Sequence, residues 1–231
     1  MVLPCFNEAG NLADMVQDAV IAAGRASARF EIVIVDDGSS DGTARLGALL
    51  AETYPEVRLV MHLVNRGYGA AVRTGIQAAR MPYILLTDAD RQFDLAELVT
   101  FLPLLDEAEV VVGYRLRRND PFGRRAAAAA WNTLVTALYG LPFRDVDCAF
   151  KLFPRELLQR LELVSTGAMF STELLVRARQ TGAAVAEIGV HHYPRMTGRP
   201  SGGSPRVVVC AFRELARLHR SLLRAGSSSR S

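Results

Sequence analysis

Short apolar runs alternate with amphipathic helical patterns along the first half of this chain, and that alternation constrains the fold more than any other feature. Apolar runs lie at residues 30–35, 57–63, 83–86 and 110–112. Between them, residues 11–23, 41–53, 69–79 and 95–105 carry apolar side chains at helical spacing, as in Leu12, Met15, Val16, Ala19 and Val20. Val2-Leu3 is the stub of a first strand. Such alternation predicts an α/β fold, with a mostly parallel central sheet and helices on both faces. The second half is less regular. Its pattern predicts helices over 124–139, 154–161, 170–180 and 206–223, and strands over 146–153 and 184–190. A loop dense in Gly, Pro, Arg and Ser spans 191–205. The 231 residues contain no internal repeat and no linker, so they read as one domain over 1–225 with a disordered tail over 226–231.

Ligands of such sheets bind at the carboxyl ends of the strands, and two of the strands there end in acids. Residues 83–86 lead into Asp88-Ala89-Asp90, with Gln92 beyond. Residues 30–35 lead into Asp36-Asp37, followed by Gly38-Ser39-Ser40-Asp41-Gly42-Thr43. Paired carboxylates at the mouth of a sheet can hold a hard divalent cation, magnesium or manganese, which can hold a diphosphate. Asp-x-Asp alone is common by chance, but two acid-tipped strands in one sheet make the reading more specific. For a nucleotide-sugar donor, Asp37 is the candidate for the base or ribose, and Asp88, Asp90 and Gln92 for the metal. Arg115 ends the fifth strand, where it can reach a phosphate or form a salt bridge. Asp145 and Asp147 flank a later strand, as acceptor-orienting groups or as plain loop acids. His191-His192 point to opposite faces of a strand and read as structural.

The stretch Asn65-Arg66-Gly67-Tyr68-Gly69-Ala70-Ala71 opens a helix, and its glycines can let backbone approach a phosphate. It is not a dinucleotide fingerprint, since Val72 stands at the third glycine position and no suitably placed acid follows. No Walker A sequence is present. Of the 27 basic residues only Lys151 is a lysine, and arginine suits bidentate phosphate contacts. The three cysteines, Cys5, Cys148 and Cys210, are odd in number and widely spaced, as expected of a reduced, cytoplasmic protein. No signal peptide is expected, because Asn7-Glu8 arrives before an apolar core could form. The nearest approach to a transmembrane helix, over 126–143, is broken by Asn132, Thr133, Thr136 and Gly140. Arginines border two amphipathic stretches: Arg115, Arg117, Arg118, Arg124 and Arg125 before Trp131, and Arg206, Arg213, Arg217, Arg220 and Arg224 in the last helix. Such helices suit the surface of an anionic membrane, and equally a helix packed on the core. No nucleic-acid partner is expected.

Taken jointly, these blocks resemble the family 2 inverting glycosyltransferases of the GT-A (Rossmann-like) fold, and among them the dolichyl- or polyprenyl-phosphate mannosyltransferases. The resemblance runs over nearly the whole chain. Pro4-Cys5-Phe6-Asn7-Glu8 is similar to the family's opening Pro-x-Tyr-Asn-Glu, with Phe6 in place of Tyr. The blocks at 35–43, 65–75 and 88–92 match the second, Gly-rich and metal blocks. Asp147-Cys148-Ala149-Phe150-Lys151 resembles Asp-x-x-Ser-Gly-Phe-Arg, with Ala149 where Gly is usual. Arg195-Met196-Thr197-Gly198-Arg199-Pro200-Ser201 is similar to the acceptor loop Arg-x-x-Gly-x-Ser-Lys, with Gly202 replacing Lys.

The resemblance implies that Pro4, Phe6, Glu8, Val35 and Asp37 hold the nucleoside, with Asp88, Ala89 and Asp90 completing the donor site. It implies metal ligation by Asp88, Asp90 and Gln92, with Asp90, Arg115 and Asp147 as the catalytic set. Arg195, Arg199 and Ser201 would meet the acceptor. The implied reaction moves a hexose, mannose from GDP-mannose, to a polyprenyl or dolichyl phosphate in cell-envelope glycan assembly, on the inner face of the cytoplasmic membrane. A UDP-hexose donor, a non-lipid hydroxyl acceptor, or an inactive nucleotide-binding or membrane-scaffold module are the alternatives.

Overall fold

The computed structural model describes residues 1–116, 122–167, 169–195 and 205–228. Its core is a seven-stranded sheet in the order β3-β2-β1-β4-β6-β5-β7. The strands are β1 (Val2–Cys5), β2 (Ile32–Asp36), β3 (Val57–Met61), β4 (Tyr83–Leu86), β5 (Val110–Arg115), β6 (Lys151–Pro154) and β7 (Val185–Val190). All pairings are parallel except those of β6, which runs antiparallel between β4 and β5. The first strand is longer than the expected stub. It pairs with β2 over its full length, from Val2 against Val33 to Cys5 against Asp36, and lies inside the sheet rather than at an edge.

β2 shows why these residues make a strand. All five of its residues are buried. Val33 and Val35 pack into one apolar cluster, and Ile32 and Ile34 into another on the opposite face. A strand covered on both sides reads as a continuous apolar run. One face carries α1 (Ala9–Ala26), α2 (Thr43–Thr53) and α4 (Leu98–Phe101). The other carries α3 (Tyr68–Ala78), α5 (Phe122–Tyr139), α6 (Arg155–Arg160), α7 (Phe170–Gln180) and α8 (Pro205–Ser228). α8 packs on α5 through the edge-to-face rings of Phe212 and Trp131, 5.6 Å apart.

Three local expectations change. Residues 95–105 form two 3-10 turns around the short α4 rather than one helix, with Pro103 in the second turn. The strand expected over 146–153 begins only at Lys151, and its antiparallel direction is a tertiary choice. α8 continues to Ser228, and residues 229–231 of the expected tail lie outside the described residues. Among the described residues, no helix is long and apolar enough to cross a membrane.

The insertion of β6 matters for the site. Because β6 runs backwards, its beginning lies at the edge where the parallel strands end. Residues 145–151 therefore meet the ends of β4 and β5, with Lys151 opposite Leu86 and Asp145 gripped by Arg115.

Candidate active site

β4 delivers the acids that dominate the cleft. Asp90 is 8% exposed, and its Oδ1 accepts the backbone N–H of Gln92 at 3.2 Å. Asp88 Oδ1 is buried without a hydrogen-bond partner, and the Tyr68 hydroxyl lies near enough to the same carboxylate to pull its pKa down. Burial and the neighbouring Asp88 charge push the Asp90 pKa up to about 7, against the pull of the Gln92 N–H and Arg195. Burial also raises the Asp88 pKa, against the Tyr68 hydroxyl and the charges of Lys151, Arg115 and Arg195. Two adjacent carboxylates that resist ionising together form a place that favours a cation.

That donor set fits a magnesium- or manganese-type ion. Such ions need only one or two carboxylates when substrate phosphates and water complete the shell. An all-protein cage is not built: among the described residues no group of three or more His, Cys, Asp or Glu side chains is placed to hold a metal. Gln92, expected as a third ligand, points its amide nitrogen to the Tyr193 carbonyl at 2.9 Å, and Tyr193 N returns a bond to Gln92 O. Its visible task is to tie the chain after β7 to the acid block.

Arg195 comes in along that tie. Its guanidinium donates to Glu8 Oε1, and its Nη1 lies 3.4 Å from Asp90 Oδ2. Glu8 is anchored by Asn11 Nδ2 at 2.6 Å. Asn7 and Arg91, each next to one of these acids, are the two non-glycine residues of positive φ among the described residues. Strained backbone of this kind clusters at functional sites. Arg91 is held there by Asp14 and Asp18 of α1. Beyond it lies a groove of about 460 Å³ lined by Met15, Ile21, Phe93 and Tyr193, with none of Glu8, Asp37, Asp88 or Asp90 on its wall.

Asp37, the candidate nucleoside contact, is heavily occupied. Its Oδ1 faces His62 Nδ1 at 2.6 Å and accepts Arg66 N at 2.9 Å, and its Oδ2 accepts Gly67 N at 2.8 Å. His62 is held in turn by Thr74 Oγ1 at 2.9 Å. Asp37 thus anchors the glycine-rich loop. Its neighbour Asp36 keeps a buried Oδ1 without a hydrogen-bond partner.

The glycines of that loop are explained by protein backbone rather than by phosphate. Gly67 has φ +94°, and a Cβ there would lie 2.5 Å from Thr166 O. A Cβ at Gly69 would lie 2.4 Å from Ser165 O. Gly69 N, one of the helix-start donors, already bonds Thr166 O at 2.9 Å.

Three further expectations are corrected. Val35 is fully buried and Ala89 is 2% exposed, so their side chains fill the core and do not line the cleft. Pro4 is half-buried, whereas Phe6 is 44% exposed and free to stack on a base. Asp145 is not an available base. Arg115 Nε and Nη2 grip its two oxygens at 2.6 and 2.7 Å. The pair is largely buried, and Asp145 holds the guanidinium charged against the cost of burial. Asp147 is half-buried beside this pair and adds its negative charge to the field around Arg115 and Lys151. Arg199 and Ser201 of the expected acceptor loop, with Arg117 and Arg118, lie outside the described residues.

Sequence reading missed His62, Glu173, Glu214 and the placement of Lys151. Lys151, the sole lysine, is 1% exposed, donates to the Cys148 carbonyl and faces Leu86 across the sheet. Its only signal was being a lysine among arginines.

Residues 1–162 match the sequence profile described as glycosyl transferase family 2. The chain belongs to that family. It is 30% identical over 212 residues to a dolichyl-phosphate beta-glucosyltransferase of Dictyostelium discoideum, covering 83% of this chain and 65% of the relative. An undecaprenyl-phosphate 4-deoxy-4-formamido-L-arabinose transferase of Yersinia enterocolitica is 28% identical over 201 residues, covering 86% and 60%. This family 2 chain therefore spans somewhat less than two thirds of the length of either relative. Among solved structures, mannosyl-3-phosphoglycerate synthase from Rubrobacter xylanophilus superposes with a TM-score of 0.72 at 21% identity, covering 96% of this chain and 74% of that one. A mannosyltransferase from Pyrobaculum calidifontis in complex with GDP-Man and Mn2+ gives 0.65 at 21% identity, covering 94% and 63%. The fold is that of the GT-A glycosyltransferases.

Proposed function

We propose that this family 2 chain transfers a hexose from a nucleoside-diphosphate sugar to a polyprenyl phosphate. The observation that carries the reading is the Asp88–Asp90 pair: a buried carboxylate oxygen without a partner beside a second acid whose ionisation is suppressed. Asp88 and Asp90 would hold the divalent cation, which neutralises charge on the leaving diphosphate when bound. The rest falls to the chain's own groups. Phe6 offers an exposed ring to the base at the end of β1. Asp37, through Arg66 and Gly67, fixes the loop that walls the donor.

Arg195 places a positive charge between Glu8 and Asp90, suited to an acceptor phosphate, and the rest of its loop would complete that subsite. A lipid phosphate is already anionic at neutral pH, so attack on the anomeric carbon needs no strong general base. Catalysis then rests on positioning and on electrostatic stabilisation of the leaving group. A hydroxyl acceptor would require a base, Asp145 or Asp147, and the engagement of Asp145 by Arg115 withdraws one of the two, which favours the lipid phosphate.

Two donors are in play. GDP-mannose is carried by the motif resemblance and by the fold shared with a GDP-Man-bound mannosyltransferase. UDP-glucose is favoured by the likeness to a dolichyl-phosphate beta-glucosyltransferase. The lipid acceptor is supported by both curated relatives. The exposed face of α8, with Phe212, Arg213, Arg217 and Arg220, suits peripheral attachment to the cytoplasmic leaflet.

The test offers radiolabelled GDP-mannose and UDP-glucose with polyprenyl phosphate and manganese or magnesium. Label entering the organic phase from one donor supports the reading and names the sugar. Label that stays in water with every donor, while the protein remains folded, refutes it.

A further inference from the structure

The turn at residues 164–167 is gripped by two buried carboxylates from two different helices. Val164 N and Ser165 N donate to Glu173 Oε2 of α7 at 3.0 and 2.7 Å. Thr166 N and Gly167 N donate to Glu214 Oε1 of α8 at 2.9 and 3.2 Å, and the Thr166 hydroxyl adds a third bond at 3.3 Å. Glu173 is fully buried and Glu214 is 6% exposed. Four consecutive backbone donors thus end on two acids. A buried backbone donor without an acceptor is costly, so these acids hold the turn in one conformation.

The carbonyls of the turn face the opposite way, onto the first turn of α3. Ser165 O accepts from Arg73, and Thr166 O accepts Gly69 N. Contact is so close that neither Gly67 nor Gly69 has room for a Cβ. That same first turn carries Tyr68, whose hydroxyl lies beside Asp88, and follows Arg66 and Gly67, whose N–H groups bind Asp37. Glu214 is therefore connected to the donor wall by two successive backbone contacts, Thr166 and Gly69. It sits on the inner face of α8, whose outer face carries exposed Arg213, Arg217 and Arg220.

We infer that Glu214 is a positioning residue for the donor side of the cleft. It sets the 164–167 turn against α3, and through α3 it sets Tyr68 on Asp88 and the glycine-rich loop on Asp37. It touches no reacting atom. This rests on the proposed donor site, and it assigns to the last helix a part in donor binding rather than in covering the core alone.

The experiment compares wild type with Glu214→Ala, Glu214→Asp and Glu214→Gln, measuring KM for donor, KM for acceptor and kcat, with a thermal melt of each. Glu214→Ala and Glu214→Asp withdraw the accepting oxygen, so donor KM rises about tenfold or more while acceptor KM stays within about twofold. Glu214→Gln keeps an accepting oxygen at the same reach and restores donor KM. A lower melting temperature with both KM values unchanged would mean a purely structural role and overturns the inference. Should Glu214→Ala fail to fold, Glu214→Asp decides by the same donor KM. Absence of transfer by the wild type bears on the proposed function. Wild-type transfer with an unshifted donor KM in the folded variants sinks this inference alone.

Discussion

Two groups of buried acids lie in this cleft or behind its wall and differ in their setting. Asp37, Asp145 and Glu214 have been given protein donors: His62 with two backbone N–H groups, the Arg115 fork, and the 166–167 backbone with a hydroxyl. Asp88 keeps one oxygen buried and unbonded, and beside it stands Asp90, which is bonded by Gln92 N and Arg195 yet has its ionisation suppressed by burial and the Asp88 charge. A buried carboxylate with its donors supplied inside the fold is architecture. One left short at the end of a parallel strand, beside a like charge, is poised for a ligand that the protein does not supply. Motif membership does not separate the two kinds, for Asp37 and Asp90 both belong to family blocks. Their setting does: Glu214 Oε2 and Asp36 Oδ1 are also buried without a partner, but only Asp88 and Asp90 sit side by side with both pKa values raised.

The largest expected effect is on the second kind. Asp90→Ala should lower sugar transfer by about a thousandfold, the scale for removing one main electrostatic contributor to a transition state. Its melting temperature in metal-free buffer should not fall, because the change removes a carboxylate that resists burial. A variant that loses stability and keeps activity would place Asp90 with Asp37 and break the comparison.

Next comes Arg115→Ala, which leaves Asp145 buried without its fork. Breaking a buried ion pair from one side costs about 3 kcal/mol or more. Denaturant midpoints should show that loss, and Arg115→Ala combined with Asp145→Leu should recover part of it. If the single change costs under about 1 kcal/mol while abolishing transfer, Arg115 belongs to the chemistry rather than to the frame.

Per pH unit, the smallest effect is the pH dependence of Asp90. Its folded pKa of about 7 lies above the ordinary carboxylate value, so the native state holds this proton more tightly than the unfolded chain. The stabilisation is complete below about pH 4 and is lost as pH rises through the folded value. Metal-free protein should therefore lose stability between those limits, by at most about 1.4 kcal/mol per pH unit. Asp90→Asn should flatten that segment of the curve. Urea unfolding at several pH values reads both, and an identical slope in the variant would remove the pair's strain as the cause.

Much of this was legible before the structure. The run at 30–35 reads as a strand before two acids and a cap-rich turn, and the structure forms it over Ile32–Asp36, buried on both faces. The acids at 36–37 and 88–90 had to lie at one edge once the sheet was parallel. The roles of the two pairs were not legible, because an Asp at a strand end looks the same whether a loop fills it or not. Glu214 was invisible for a related reason: its partner Thr166 is 48 residues away. On a helix wheel it is one more charged side chain. Gly67 and Gly69 suggested phosphate because a helix start can bind one, yet the contact they permit is with a turn nearly a hundred residues later.

The sequence by itself determined the parallel α/β scaffold, the edge where acids gather and the family, because apolar period, turn chemistry and short motifs are local properties that survive without knowledge of distant neighbours. Only the tertiary structure decided that β6 runs backwards, that Asp37 and Asp145 are bonded into the frame, and that Asp88 keeps a buried oxygen no protein group bonds. Those outcomes depend on which donors long-range packing brings within about 3 Å of each oxygen, and no local pattern encodes that distance.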